Sequence, residues 1–406
     1  MKKQFNVTAV SLICIGSASA QSLFDLAPSN DDSEPMPLTW TAGAGVGFDD
    51  NAVPFFPGED QSSLYGSAYV GASFLSRTPA TTTEFFARLG IVHYFDDIDV
   101  GGMSADQSSE VAGFGLNWTN RISDRLRIVS RNNLNKEREP DYAQGFQGAA
   151  SGDYLRWSTD QAVGYRWSER LGTYTGVRYD DVSYDDIDGF DRSSLMFYND
   201  FRYQVSPQTV GTFTYRLSEV DGGSVADSTN SYFLLGLEHR FSPNTLGVIK
   251  VGVQSRDVDG GDDTSSPYVE ASIKSQFNEQ FTVSSYLRYG VEDYARFVRA
   301  IGGAREYEGA ETLRLGVTGI YGVSEELSLN AGLNYVNLGY VDGKAAGGAV
   351  SDDDEDSLNL SVGFRLELSD TMWLNGSYNF ETLSSDVADS REYDRNRINL
   401  GINSTF

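Results

Sequence analysis

Residues 358–368 place Leu358, Leu360, Val362, Phe364, Leu366 and Leu368 at every second position, with Asn359, Ser361, Gly363, Arg365 and Glu367 between them. The same alternation runs through 281–292, where Phe281, Val283, Leu287, Tyr289 and Val291 oppose Thr282, Ser284, Arg288 and Glu292. In 195–205, Leu195, Phe197, Phe201, Tyr203 and Val205 oppose Asp200, Arg202 and Gln204; in 249–256, Ile249, Val251 and Val253 oppose Lys250, Gly252, Gln254 and Arg256. A period of two puts one set of side chains on each face of a strand, and helical spacing fits none of these runs. The pattern predicts strands over 38–49, 63–76, 82–96, 107–119, 124–136, 153–167, 170–183, 191–205, 208–220, 229–241, 245–257, 266–277, 280–293, 308–322, 326–340, 356–368, 371–383 and 392–406. That is eighteen strands; sixteen is the alternative, because the first run, with Gly43, Gly45 and Gly47, is the least apolar.

The connections come in two kinds that alternate. Short Ser/Asn/Pro/Asp/Glu turns stand at "SRTPAT" (76–81), "TNRISDR" (119–125), "WSERL" (167–171), "VSPQTV" (205–210) and "FSPNTL" (241–246). The series continues with "FNEQF" (277–281), "VSEEL" (323–327) and "LSDTM" (368–372). Between them lie longer acidic, Gly-rich stretches, such as "DDNAVPFFPGEDQS" (49–62), "DVDGGDDTSS" (257–266) and "VDGKAAGGAVSDDDED" (341–356). Short turns on one side and long loops on the other mark an all-β transmembrane antiparallel up-and-down β-barrel, with short periplasmic turns and long acidic outer loops. An even strand count puts both ends of the barrel on the periplasmic side.

A soluble sandwich alternates too. Three features favour the membrane. The runs are about 12–15 residues long, against the usual five or six of globular sheets, and a tilted membrane strand needs about 9–11 in the apolar zone. Trp118, Trp167, Phe241, Phe277, Tyr321, Trp373 and Phe406 stand beside the short turns and predict one interfacial girdle. The polar faces are rich in Arg, as a wet lumen wall would be. No stretch approaches eighteen consecutive apolar residues, so a closed barrel is the way this chain would span a bilayer.

Composition adjusts this picture in three places. The net charge of −27 excludes a nucleic-acid partner, since phosphate binding needs clustered Lys and Arg. Lys2 and Lys3, the apolar run from Val7 to Ile15 and Ala18-Ser19-Ala20 read as a secretory signal peptide over 1–20. The single cysteine, Cys14, lies inside it; Leu12 and Ile13 before it are too large for a lipoprotein site, and the mature chain is expected to lack thiol chemistry. Residues 21–37 read as a disordered periplasmic lead-in, too short for a plug, and 38–406 as the barrel.

Candidate chemistry is sparse. The two histidines, His93 and His239, fall with the apolar sets near strand ends, which suits an interface better than catalysis, so no catalytic residue is assigned. "DVDGGDDTS" from Asp257 looks like a calcium loop, but its twelfth position is Tyr268 rather than Glu. "SDDDED" (351–356) reads as a solvated charge run. Weak divalent-cation binding by the loops is conceivable; no defined metal site and no cofactor are expected. The lumen is the sharper candidate. Parity points Arg202, Arg216, Arg240, Lys274, Arg288, Arg314 and Arg365 inward, with Tyr198, Tyr232 and Tyr286 and with Asp200, Glu238, Glu270, Glu292 and Glu367. Either opposite charges pair across the wall and keep it wet, or Arg attracts anionic groups while Tyr faces stack on sugar rings.

"AGAGVGFDDNAVPF" (42–55), followed by "EFFARLGIVHYFDD" (84–97), resembles the β-barrel porin 2 family. Phe48, Asp49, Asp50 and Asn51 are the positions that carry the resemblance; as a plain reading they end a strand and start a turn. The resemblance implies an outer-membrane channel that accompanies exopolysaccharide export, with polysaccharide-export components as partners. A general or sugar-selective diffusion porin is the alternative, and a structural or adhesive surface barrel is another. Outer-membrane lipid, lipopolysaccharide and the barrel-assembly machinery are the remaining expected partners. In the closing "NRINLGINSTF", Ile398, Leu400, Ile402 and Phe406 should face lipid and Arg395, Arg397, Asn399 and Asn403 the lumen; Phe406 resembles the terminal aromatic that assembly machinery reads.

Overall fold

The computed structural model describes residues 35–52, 61–97, 99–100, 103–104, 107–137, 153–185, 191–222, 227–261, 263–292, 297–300, 303–307, 309–341, 344–345, 348–349, 353–387 and 392–406. The expected signal peptide and all of the lead-in up to residue 34 lie outside them.

The eighteen barrel strands are β1 Met36–Asp49, β2 Ser63–Arg77, β3 Thr81–Tyr94, β4 Ser108–Arg121, β5 Leu126–Glu137 and β6 Tyr154–Arg166. They continue as β7 Leu171–Tyr184, β8 Arg192–Ser206, β9 Thr209–Gly222, β10 Ser228–Ser242, β11 Thr245–Val258 and β12 Thr264–Gln276. The last six are β13 Phe281–Glu292, β14 Gly309–Gly322, β15 Leu327–Val341, β16 Asp354–Ser369, β17 Met372–Ser385 and β18 Tyr393–Thr405. Each pairs antiparallel with the next, and β18 pairs back to β1 from Arg397↔Asp49 to Thr405↔Thr41, so the sheet closes with no free edge. Brief ladders within 99–104 and among 297–306 and 344–349 lie in the long connections.

Side-chain capping makes the short turns. Ser123, Ser168 and Ser324 each accept backbone N–H bonds from the residues two and three places on, and Asn278 does the same for Gln280 and Phe281 at 2.8 Å. A hydroxyl or amide that accepts from its own turn replaces the ladder bond the reversing chain gives up. Beside the turns at 207–208, 243–244 and 370–371 the ladder slips, between Gln204 and Ser206, Arg240 and Ser242, and Glu367 and Ser369.

The weakest run of the sequence is a full barrel strand, which settles the count at eighteen. β1 starts at Met36, with an irregular register up to Thr39. Its glycines are positions where the neighbours' side chains need the space. A Cβ on Gly43 would stand 2.3 Å from Asn403 Oδ1 and 2.4 Å from the Tyr69 ring, and one on Gly47 2.3 Å from the Tyr65 ring. Inward tyrosines of β2 therefore lie flat across β1. The strand is poor in apolar residues because its partners cover it. At the seam's lower end Trp40 and Phe406 exchange backbone hydrogen bonds of 3.1 and 3.0 Å, so the last residue is held in the ladder.

The outward face is an apolar belt: Val46, Leu89, Phe233, Leu235, Ile249, Val251, Val317, Leu333, Val362, Ile398 and Leu400 are all exposed. Trp167, Phe241, Phe277, Tyr321 and Phe406 form the lower aromatic rim. Trp373 does not join them: it sits on the inward set of β17, under the Arg365 guanidinium. A closed barrel that is apolar outside and polar inside is the sheet architecture that satisfies every strand edge in lipid, and it places this protein in the outer membrane.

Candidate functional site

The inward face is identified by the reach of its side chains. Arg216 on β9 donates to Glu270 on β12 at 2.7 and 3.0 Å, and Lys250 on β11 to Asp200 on β8 at 3.5 Å. Strands stand ~4.8 Å apart, so a three-strand span is about 14 Å along the wall. Such side chains converge only on the concave side. With parity fixed this way, Arg202, Arg216, Arg240, Lys274, Arg288, Arg314, Arg365, Tyr198, Tyr232 and Tyr286 all sit on the inward sets of their strands.

Inside, the wall divides into two arcs. From β6 to β14 it is packed and paired. Arg202 is 2% exposed and forms a two-pronged pair with Glu238, one bond being 2.6 Å. Lys250, 3% exposed, bridges Asp200 and Glu270, and Thr214 also donates to Asp200. Glu292 takes Arg288 on its own strand and Arg314 on β14, the latter at 2.8 Å. Tyr198 donates to Asp160 at 2.7 Å; Tyr232 accepts from Gln254 and meets Tyr268 edge-on. Val129 of β5 forms a small buried cluster with Ala162, Tyr174 and Tyr198 at the edge of this arc. Ions as deeply buried as Arg202 and Lys250 survive here only because each has a partner. Lys274, near the lower end of β12, has no carboxylate partner among the described residues.

From β15 round to β5, neutral amides line part of the wall and admit solvent there. Asn330 and Ser377 point inward yet are exposed, and Asn334, Asn375, Asn379 and Asn399 are partly so. Asn403 donates to Asn375 at 2.5 Å, Asn359 to Asn379 at 3.3 Å, and Tyr286 reaches across to Asn334 at 3.1 Å. Charges stand on this arc as well: Arg127 is buried on β5, Arg131 pairs with Asp160 at 3.2 Å, Glu381 is buried on β17, and Asp49, Arg395 and Arg397 meet at the seam. Arg88 lies 4.3 Å over the Tyr69 ring and Arg365 4.3 Å over the Trp373 ring; Glu84 holds Asn117 at 3.3 Å, and Glu367 stands 3.7 Å from Arg365. Attention to Arg and Tyr passes over this amide surface. Its signal is present in the sequence as Asn at alternate positions of successive runs, on the polar parity.

At the outer rim the family-like residues form a latch over the seam. Asp49, fully buried, accepts from Arg395 at 2.6 and 3.0 Å and stands 3.2 Å from Arg397. Asp50 accepts from the Asn396 backbone at 2.6 Å and its side chain at 2.7 Å, and Asn51 donates to the Asp394 carbonyl at 3.3 Å. Tyr94 reaches Asp49 at 3.3 Å. Phe48 faces outward. These residues tie β1, β3 and β18 together.

The charge run at 351–356 is not wholly a solvated loop. β16 begins at Asp354, and Glu355 is buried, accepting from Tyr340 at 2.7 Å and from Ser385 at 2.6 Å. Asp353 is buried against the Tyr307 hydroxyl. Beside them Tyr307, Ala310, Val336, Leu338, Tyr340 and Val387 make an apolar cluster, so connecting segments pack against the outer ends of β14 and β15. Among the described residues no three His, Cys, Asp or Glu side chains converge on a metal-sized site. His93 and His239 lie on the outward sets. Each bonds a hydroxyl of the adjacent strand, Ser108 at 2.8 Å and Thr209 at 2.9 Å, and meets a phenylalanine edge-on.

No protein-family profile matches the chain, and neither does any curated protein. Solved structures do resemble it. Acinetobacter baumannii OccAB4 is 14% identical, with 92% of this chain and 99% of that one covered and a TM-score of 0.48. Pseudomonas aeruginosa OpdK with vanillate is 11% identical, with 91% and 99% covered and a TM-score of 0.49. Pseudomonas aeruginosa OccK2 (OpdF) in complex with glucuronate is 11% identical, with 91% and 98% covered and a TM-score of 0.49. At such values the likeness adds nothing to the barrel itself.

Proposed function

We propose that this barrel is a passive diffusion channel for small, polar, hydroxyl-rich solutes, and that they travel along the amide arc. The observation that carries the proposal is the division of the wall. The central ion pairs between β6 and β14, such as Arg202 with Glu238 and Lys250 with Asp200, are buried, whereas Asn330, Asn334, Asn375, Ser377, Asn379 and Asn399 of the other arc meet solvent. An amide both donates and accepts, so it can exchange hydrogen bonds with sugar hydroxyls at little cost. The aromatic-backed Arg88 and Arg365 add a mild preference for anionic groups. Barrels of sixteen to eighteen strands are wide enough to hold water.

The exopolysaccharide conduit implied by the family resemblance is the weaker account. The residues that carry the resemblance have a structural task, closing the seam, and no solute chemistry falls to them. Purified protein in planar bilayers, paired with sugar uptake by proteoliposomes, tests the proposal. Ion steps and uptake that falls with sugar size are expected. Absence of conductance, with the chain folded, would overturn it. Loss of surface polymer on deletion, with small-sugar uptake unchanged, would favour secretion.

A further inference from the structure

Among the described residues of the outward face, polar side chains gather at mid-height on four neighbouring strands, β5–β8, whereas Ser285 of β13 is a single interruption. Ser130 and Asn132 of β5, Thr159 and Gln161 of β6, Thr175 of β7 and Asn199 of β8 all have the outward parity. Thr159 donates to Asn132 Oδ1 at 2.8 Å, and Gln161 Nε2 donates to the same oxygen at 3.1 Å and to Thr159 at 2.8 Å. Asn132 Nδ2 donates to Ser130 at 3.0 Å and to the Leu116 carbonyl at 3.4 Å, and Asn199 donates to Thr175 at 2.5 Å. The patch sits at mid-height. Ile128, Val163 and Phe201 lie toward the short turns; Leu134, Trp157 and Phe197 lie toward the outer loops. At the same level on other strands stand Leu235, Val251, Val317, Leu333, Val362 and Leu400.

Acyl chains offer these groups nothing. A polar group left without a partner in hydrocarbon costs several kcal/mol, on the order of 4–8 for a full transfer to alkane. Gln161 is exposed and its amide nitrogen donates to Asn132 and Thr159, while its Oε1 accepts from none of the donors within the patch. The patch is thus short of donors from outside, in a zone that contains no water.

We infer that the outward face of β5–β8 is the contact between copies of this chain in the membrane. Its occupant is a second copy because the chemistry is self-complementary. The patch carries amides and hydroxyls with both donors and acceptors and no formal charge, so it can meet another polar barrel wall without like-charge repulsion or a stranded ion. An anionic lipopolysaccharide headgroup would find no cation here, and it sits at the outer interface rather than at mid-height. Exposed Trp157, Phe197, Phe201 and Tyr203 frame the polar centre with aromatic area, the composition of a buried interface core. An apolar groove of about 340 Å³ between Phe201, Gly211, Phe213 and Leu235 continues the surface and could receive a side chain of the neighbour. Closed point-group oligomers are the usual outcome for such faces.

The experiment does not depend on the channel proposal. Native mass spectrometry in lipid nanodiscs should give a multiple of the chain mass for the unmodified protein. In a Cys14→Ser background, Gln161→Cys should yield a multimer with a short bismaleimide in the membrane, while Val362→Cys, outward on β16, should not. The triple variant Asn132→Leu, Thr159→Val, Gln161→Leu should stay folded by its gel mobility before heating and shift to the monomer mass. A monomer mass for the unmodified protein, equal cross-linking at 161 and 362, a multimer that persists in the triple variant, or a product containing a different protein would each overturn the inference.

Discussion

Between β6 and β14, Arg202, Arg216, Lys250 and Arg314 are engaged with carboxylates and little exposed, whereas from β15 round to β5 Asn330, Asn334, Asn375, Ser377, Asn379 and Asn399 meet water. Both arcs follow the same parity and the same strand geometry. The difference is in what each side chain does with its charge. Long cationic side chains that find carboxylates two or three strands away draw the wall inward and dry it. Short amides that reach only to the next strand leave space in front of them. In a barrel, then, the most charged wall is not by default the one a solute touches.

The comparison breaks most visibly if a buried partner is removed. Arg202→Ala leaves Glu238 as an uncompensated buried carboxylate, and a loss of about 3–5 kcal/mol is expected. Chemical unfolding followed by the heat-dependent gel shift would show it, and the conductance of the barrels that still fold should be unchanged. The double variant Arg202→Met, Glu238→Leu should restore much of the loss, because it removes the stranded charge along with the pair. If Arg202→Ala instead alters solute flux with little effect on stability, the packed arc is part of the path.

The seam gives the next largest effect. Asp49→Asn replaces a carboxylate that accepts from Arg395 with a neutral amide, and about 1.5–3 kcal/mol should be lost, the range for hydrogen bonds to charged groups. Phe406→Ala should act on another observable. Its ring lies at the lower interface and its backbone closes the ladder with Trp40, so the yield of inserted barrel should fall well before any channel property moves. Unchanged insertion, measured as the protease-resistant folded fraction, would leave Phe406 with no role in assembly.

These contrasts were unevenly legible in the chain. Strand number, order and facing follow from a two-residue period, because burial on one face is a local property of alternating residues. Hence even Ile398 and Leu400 were placed from parity alone. Trp373 escaped because its position beside a turn suggests an interface, while its odd number on β17 sends it inward. Glu355 escaped because acidic runs are normally solvated; only the folded chain brings Tyr340 and Ser385 to it. Which arginines are consumed in pairs depends on wall curvature, and curvature is a property of the closed sheet. The glycines of β1 are a similar case: they look like weakness until Tyr65 and Tyr69 are laid over them.

Substitutions on the amide arc should cost less stability and more transport. Asn379→Leu faces a partly solvated space, and its stability should shift by roughly 0.5–1.5 kcal/mol, the worth of an ordinary hydrogen bond. Sugar uptake by proteoliposomes should fall, and more for larger sugars, because a leucine removes both a donor and an acceptor from the path. Uptake that does not change would move the path away from β17.

The smallest and most selective effect belongs to Arg365. Its guanidinium is held over Trp373 rather than buried in a carboxylate pair, and its side chain keeps 27% of its exposure. Glu367 stands 3.7 Å away and is itself exposed, so the pair is a screened one of small worth. Arg365→Ala should therefore cost about 0.5–1 kcal/mol, the value of an exposed cation–π contact. It should also move the reversal potential in a salt gradient toward cations, since Glu367 would remain without its neighbour. The shift should shrink at high salt, where the Debye length falls to ~3 Å and the wall charge is screened from ions in the lumen. Arg202→Met, Glu238→Leu, which deletes an equal cation from the packed arc together with its anion, should leave the reversal potential where it was. An equal shift from both variants would mean that the ions meet the whole wall, and the distinction between the arcs would no longer apply to transport.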